Sequence, residues 1–102
     1  MPDLHISRRA ASDLAEIADY TIAEFGIEQA RKYRDLLQSC FQSLLDNPSL
    51  GRSAAELAPG LRRIRQQAHV IFYRPASSAI LIEGIAWKVR QTTLSENISR
   101  TA

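Results

Sequence analysis

Arg62, Arg63 and Arg65 form the densest run of one chemistry in this sequence. Guanidinium groups grip phosphates and carboxylates through paired N–H donors. Side chains on a strand alternate, so Arg63 and Arg65 share one face and Arg62 takes the other. The run reads either as an anion grip or as a solvated basic strand that resists edge pairing. His69 and Tyr73 share a face of the next β-rich run, His69-Val70-Ile71-Phe72-Tyr73-Arg74, with Ile71 between them. An imidazole titrates near pH 6.5 or so, which makes His69 a candidate proton carrier. The plainer reading is a polar residue at a strand end, with Tyr73 packed on a core. Trp87, Lys88 and Arg90 make a third group. An aromatic beside two cations is a binding hot spot, although Trp87 would equally close the core. Glu83 sits in an apolar run and suits a neighbouring arginine. Asp13, Glu16 and Asp19 read as a solvated helix face. There is no Walker loop, dinucleotide fingerprint, nucleophile elbow or metal-ligand spacing, so neither a cofactor nor a metal is expected.

These groups must be positioned by one domain, because 102 residues leave no room for a second. With 45% hydrophobic residues there is material for one core. A domain this small is modestly stable alone, and a partner covering an apolar face would add stability. Residues 1–50 carry 5 basic and 8 acidic side chains, net −3, while residues 51–102 carry 8 basic and 3 acidic, net +5. The basic half suits an anionic partner, either nucleic acid or an acidic protein segment. The lone Cys40 has no disulfide partner and reads as a buried thiol. The first residues lack a signal peptide's basic and apolar regions. No run reaches the ~20 apolar residues of a membrane helix. The expectation is a cytoplasmic protein with no membrane contact.

Leu4-His5-Ile6 alternates as a short strand, and Ser7 suits a helix N-cap. Ala10, Leu14, Ile17, Ala18, Thr21 and Phe25 then recur at three and four, forming one helical stripe. Gly26 ends that helix. Ala30, Tyr33, Leu37, Cys40, Phe41 and Leu44 line a second helix, broadened by Leu36 and Leu45 and stopped at Asn47-Pro48. Ser49 to Arg52 reads as a turn, and residues 53–58 as a loop or short helical turn. Pro59-Gly60 is a turn signal. Three strands follow, over 61–66, 69–74 and 79–87, the last two joined by Pro75 to Ser78. The last strand is apolar on both parities, which marks a central one. The tail from Thr92 should fray, giving a core of 4–90 and a flexible end over 91–102. The fold class is α+β: an N-terminal strand and an antiparallel helical hairpin on a mainly antiparallel twisted sheet of about four strands.

In this order the pieces resemble the ParE/RelE toxins of type II toxin–antitoxin systems, and ParE most. The likeness covers about residues 4–90. Ala11-Ser12-Asp13-Leu14-Ala15-Glu16-Ile17-Ala18-Asp19-Tyr20 is similar to the Ala-x-x-Asp-Leu-x-x-Ile-x-x-Tyr first helix. Phe25-Gly26 with Gln29-Ala30 fits the helix corner, and Asn47-Pro48-x-Leu50-Gly51-Arg52 fits the exit of the second helix. Gly60-Leu61-Arg62 and the His69 to Arg74 run fit the middle strands.

The resemblance implies a cognate ParD-like antitoxin and, for the free toxin, arrest of growth by action on DNA gyrase. It implies a binding toxin without catalytic residues, with no sequence-specific DNA binding by the toxin alone. Target contacts would fall to Trp87, Lys88, Arg90, Arg62, Arg63 and Arg65. One segment departs from the pattern. Where many ParE-like chains have a histidine and then Arg-Met-Asp, this one has Trp87-Lys88-Val89-Arg90-Gln91. Two alternatives stay open. In RelE-type relatives the toxin cleaves messenger RNA in the ribosome, which needs a base, an acid and a cation on the phosphate. His69, Tyr73 and Arg65 or Arg74 would fill those roles. The other alternative is an inactive remnant that only binds its antitoxin. Either way the antitoxin's end would fold as it binds, through an apolar helix and an added strand.

Overall fold

The computed structural model describes residues 3–87. Two helices lie on a five-stranded mixed sheet. The elements are β1 (Asp3–Ile6), α1 (Arg8–Phe25), α2 (Ile27–Asp46), β2 (Arg52–Ser53), β3 (Arg62–Gln66), β4 (His69–Ala76) and β5 (Ala79–Trp87). The strand order is β1-β5-β4-β3-β2. β1 runs parallel to β5 and the other pairings are antiparallel. The α+β class is as expected, with one strand more than four. The extra strand is β2, whose Arg52 ends the stretch that reads as a turn and whose Ser53 opens the loop-like stretch after it. Nothing in a dipeptide signals a strand, and only its pairing with β3 makes it one.

Ser7 caps α1 as its residue type suggests. Its Oγ accepts from the Ala10 N–H at 3.0 Å and donates to the Glu83 carbonyl at 2.9 Å. The cap therefore also ties α1 to β5. Gly26 alone separates the helices. Its φ of +91° with ψ of 165° belongs to a region open almost solely to glycine, so the corner cannot take a side chain without strain.

The helix faces are largely those expected. Ala10, Ile17, Thr21, Leu37, Cys40, Phe41 and Leu44 are buried against Ile71, Tyr73, Ile80, Ile82 and Ile85. Leu14 and Tyr33 are half-buried at the margin. Ala18 and Phe25 belong to the α1 stripe by spacing, yet both are exposed. Ala18 instead lines an open groove beside β1.

β5 is central, flanked by β1 and β4. Its two-sided apolarity has a second cause besides burial. Phe72 pairs with Gly84 and Tyr73 with Ile82, so Glu83 has no partner across the ladder. This bulge switches the inward parity from Ile80 and Ile82 to Ile85. β1 stops opposite Ile82, and beyond it the edge of β5 meets α1. There Asp13 Oδ2 accepts the Ile85 N–H at 2.9 Å. Asp13 is thus not one of a solvated trio with Glu16 and Asp19. It closes a sheet edge.

Tyr73, 0% exposed, ties the exit of α2 to the sheet. Its hydroxyl donates to the Pro48 carbonyl and accepts the Gly51 N–H, each at 2.8 Å. A Cβ on Gly51 would stand 2.5 Å from the Arg63 carbonyl and 2.6 Å from that hydroxyl, so only glycine fits the approach.

Leu37→Ala should cost about 2–5 kcal/mol as a core truncation. Leu14→Ala, at the half-buried margin, should cost less. Denaturant unfolding of the two variants checks both values and their order.

Candidate functional site

The structure offers three places where side chains could act. The first is an apolar groove of about 650 Å³ between the helical hairpin and β1. Leu4 and Ile6 from β1, Ile17 and Ile22 from α1, and Ile27 and Leu37 from α2 are among its lining residues. Ile22 is 44% exposed and Ile27 54%. Tyr20 and Phe25 also stand exposed near the hairpin corner, edge to face with centroids 6.5 Å apart. α1 packs mainly on β5 and α2 only lightly on β1, so this apolar surface is left to water or to a partner.

The second place is the end of the β4–β5 hairpin. His69 is 2% exposed, and its Nδ1 lies 2.5 Å from the Tyr33 hydroxyl, which is also 3.0 Å from the Gln66 carbonyl. If Nδ1–H donates to Tyr33 and Tyr33 donates to Gln66, every donor of the chain is satisfied. Nε2 is then a bare acceptor, buried without a partner among the described residues. Trp87 lies over the imidazole with centroids 4.2 Å apart, and Tyr20 meets Trp87 edge-on at 4.8 Å. Trp87 remains 46% exposed, so it covers His69 and still presents surface to solvent. Protonating His69 would bury an Nε2–H with no acceptor. Burial accordingly pushes its pKa below the ordinary value. Burial likewise raises the Tyr33 phenol and the Cys40 thiol, which keeps both neutral.

The third place is the basic strip on β2, β3 and β4. Arg62 pairs with Tyr73, on the helix side of the sheet. Its Nη2 donates to the carbonyls of Ser49 at 3.2 Å and Gly51 at 2.5 Å, so it holds the turn after α2. Arg63 and Arg65 pair with Phe72 and Val70, on the face away from the helices. Arg63 meets Glu56 at 2.7 Å, and Arg65 is exposed. Arg74 meets Glu83 at 2.5 Å and also donates to the Pro59 carbonyl.

His69, Tyr73, Arg65 and Arg74 are therefore not brought together. His69 and Tyr73 point inward under the helices, while Arg65 and Arg74 lie on the opposite face. Lys88 and Arg90 lie outside the described residues. The sequence places Tyr33 on an apolar helix face and Asp13 on a solvated one, and assigns Tyr20 no contact. Asp13 had a signal, since it falls three residues after Ala10 and four before Ile17, on the margin of the buried stripe. A buried tyrosine needs a hydroxyl partner, so Tyr33 on an apolar face also called for one. Among the described residues no group of three or more potential ligands could hold a metal, and no helix is long and apolar enough to cross a membrane.

A helical hairpin on a small mixed sheet, with an apolar groove left uncovered, is the build of a toxin from a toxin–antitoxin pair. The chain belongs to the ParE family: the model for the ParE toxin of type II toxin–antitoxin systems, parDE, matches residues 4–86. It is 36% identical to Toxin ParE1 of Caulobacter vibrioides over 74 residues, 72% of this chain and 77% of that protein. It is also 36% identical to Toxin ParE1 of Mycobacterium tuberculosis over 69 residues, 68% of this chain and 70% of that one. A solved chain of the chromosomal ParDE toxin–antitoxin system from P. aeruginosa superposes with a TM-score of 0.71 at 27% identity, covering 85% of this chain and 96% of that chain.

His69 makes stability depend on pH with a definite sign. The unfolded state takes up its proton near pH 6.5 or so, the folded state only at lower pH. Stability from this group is complete above that range and falls as pH drops through the folded value. Thermal unfolding should show this loss on the acid side, and His69→Phe should flatten that limb.

Proposed function

We propose that this chain is the toxin of a ParD-like antitoxin and that, when free, it binds and inhibits DNA gyrase. The observation that supports the antitoxin half is the open groove between the hairpin and β1. Ile22 and Ile27 border it at more than ordinary exposure for isoleucine. An amphipathic helix presenting apolar residues at three- and four-residue spacing fits such a groove. The exposed edge of β1 beside it would take an added strand. Filling the groove stabilises a small domain by mass action, which suits a toxin kept bound until its partner is lost.

The gyrase half rests on membership of the ParE family. The reading is of a binding toxin rather than an enzyme. His69 and Tyr73 have structural partners and are shut away from solvent. A RelE-type cleavage would need both of them at the phosphate. Trp87, with part of its surface free, and the outward Arg63 and Arg65 remain the proposed target contacts, together with Lys88 and Arg90. Arg62 belongs with them only through the turn that it braces. The cytoplasm, where gyrase works, is the proposed location.

The test is gyrase supercoiling with purified protein, alone and with antitoxin. Inhibition that antitoxin reverses is expected. Ile22→Glu combined with Ile27→Glu should keep the inhibition and lose most of the reversal. Absence of inhibition by folded protein that still arrests growth would refute the gyrase half. Full reversal of the doubly substituted protein would refute the groove as the antitoxin's seat.

A further inference from the structure

We propose that the face of the sheet away from the helices binds the phosphate backbone of duplex DNA through Arg52, Arg63 and Arg65. The pairing of β2 with β3 sets Arg52 directly opposite Arg63. Directly opposed residues of an antiparallel pair share a face, with Cβ atoms about 4.5–5.5 Å apart. Arg65 follows Arg63 on that face, about 6.8 Å further along the strand. Three guanidinium groups therefore crowd one small plot, at the edge of the sheet. Like charges set opposite one another across strands destabilise the pair.

The local carboxylates do not balance this plot. Glu56 meets Arg63, and both side chains are partly exposed, so the pair is weak and can be exchanged. Among the described residues neither Arg52 nor Arg65 has an ion-pair partner. Arg52 and Arg65 are both exposed. Arg62 differs from them. It turns to the helix side and is held by carbonyls.

Charge density decides between kinds of partner. Duplex DNA carries one negative charge per about 1.7 Å of axis, and binding it requires no apolar anchor. A protein segment wants an apolar core to its interface, and the large apolar groove lies on the other side of the sheet. Val70 and Phe72, paired with Arg65 and Arg63, are already half-buried. The preference for duplex DNA over RNA rests on the gyrase reading, because gyrase holds duplex DNA. The grip is on the backbone and carries no sequence preference.

The experiment titrates a short fluorescent duplex with the full chain and reads anisotropy at several salt concentrations, with no gyrase present. Three phosphate contacts, at a slope of about 0.9 each, give about a 40-fold loss of affinity between about 50 and 200 mM salt. Arg52→Ala with Arg65→Ala should cut that loss to about 3- to 4-fold. Arg8→Ala with Lys32→Ala, an equal loss of charge from exposed positions on α1 and α2, should leave the slope unchanged. The wild-type slope is informative even if the double variant fails to fold. No duplex binding at low salt, or a slope that the double variant keeps, overturns the proposal. Tighter binding of an RNA hairpin overturns the choice of DNA. A double variant that loses antitoxin affinity, with no duplex bound by the wild type, assigns the strip to a protein partner and also overturns it. Because gyrase is absent, a failure here leaves the supercoiling result standing, and the reverse holds too.

Discussion

The fold depends on how the far half of β5 is closed. β5 is nine residues long and β1 only four, so β1 reaches no further than Ile82. Beyond it the backbone of β5 would face solvent or lie buried without partners, and the latter is expensive. The bulge at Glu83 and the start of α1 solve this together. Ser7 takes the Glu83 carbonyl, and Asp13 takes the Ile85 N–H. One helix thereby serves as the missing stretch of strand.

That solution fixes where the helices can lie. α1 is held against the edge of β5 by its first two turns, and the single glycine at the corner folds α2 straight back on it. α2 touches β1 only lightly, and a groove stays open between the hairpin and β1. Among the described residues no helix covers the far face, and the short β2 brings its arginine beside those of β3. The molecule has an open apolar groove on one side of the sheet and a basic strip on the other. Trp87, stacked on His69 at the end of β5, stands where the strand leaves the core.

Much of this was legible in the sequence. The helical stripes, the Ser7 cap, the Gly26 corner and four of the five strands follow from period and turn chemistry. The remainder depends on contacts between distant segments. β2 is a strand only because Arg63 and Arg62 lie opposite Arg52 and Ser53. The apolar run of β5 conceals a bulge, since a parity switch and burial on both faces leave the same pattern. His69 reads as a polar strand end until Tyr33, 36 residues earlier, is seen to hold its Nδ1. Arg62 resembles its two neighbours in composition and differs from them only by the parity that turns it toward Ser49 and Gly51. Likewise, no local signal tells an arginine that braces a turn from one that waits for a ligand.

In the proposed division the two sides have separate duties, with the antitoxin on the apolar side. Hydrogen exchange of the chain alone and with its antitoxin tests this most directly. Added protection is expected along β1 and around the hairpin corner from Ile22 to Arg34, with β2 and β3 unchanged. Protection confined to β2, β3 and β4, with the groove exchanging as before, would contradict that division.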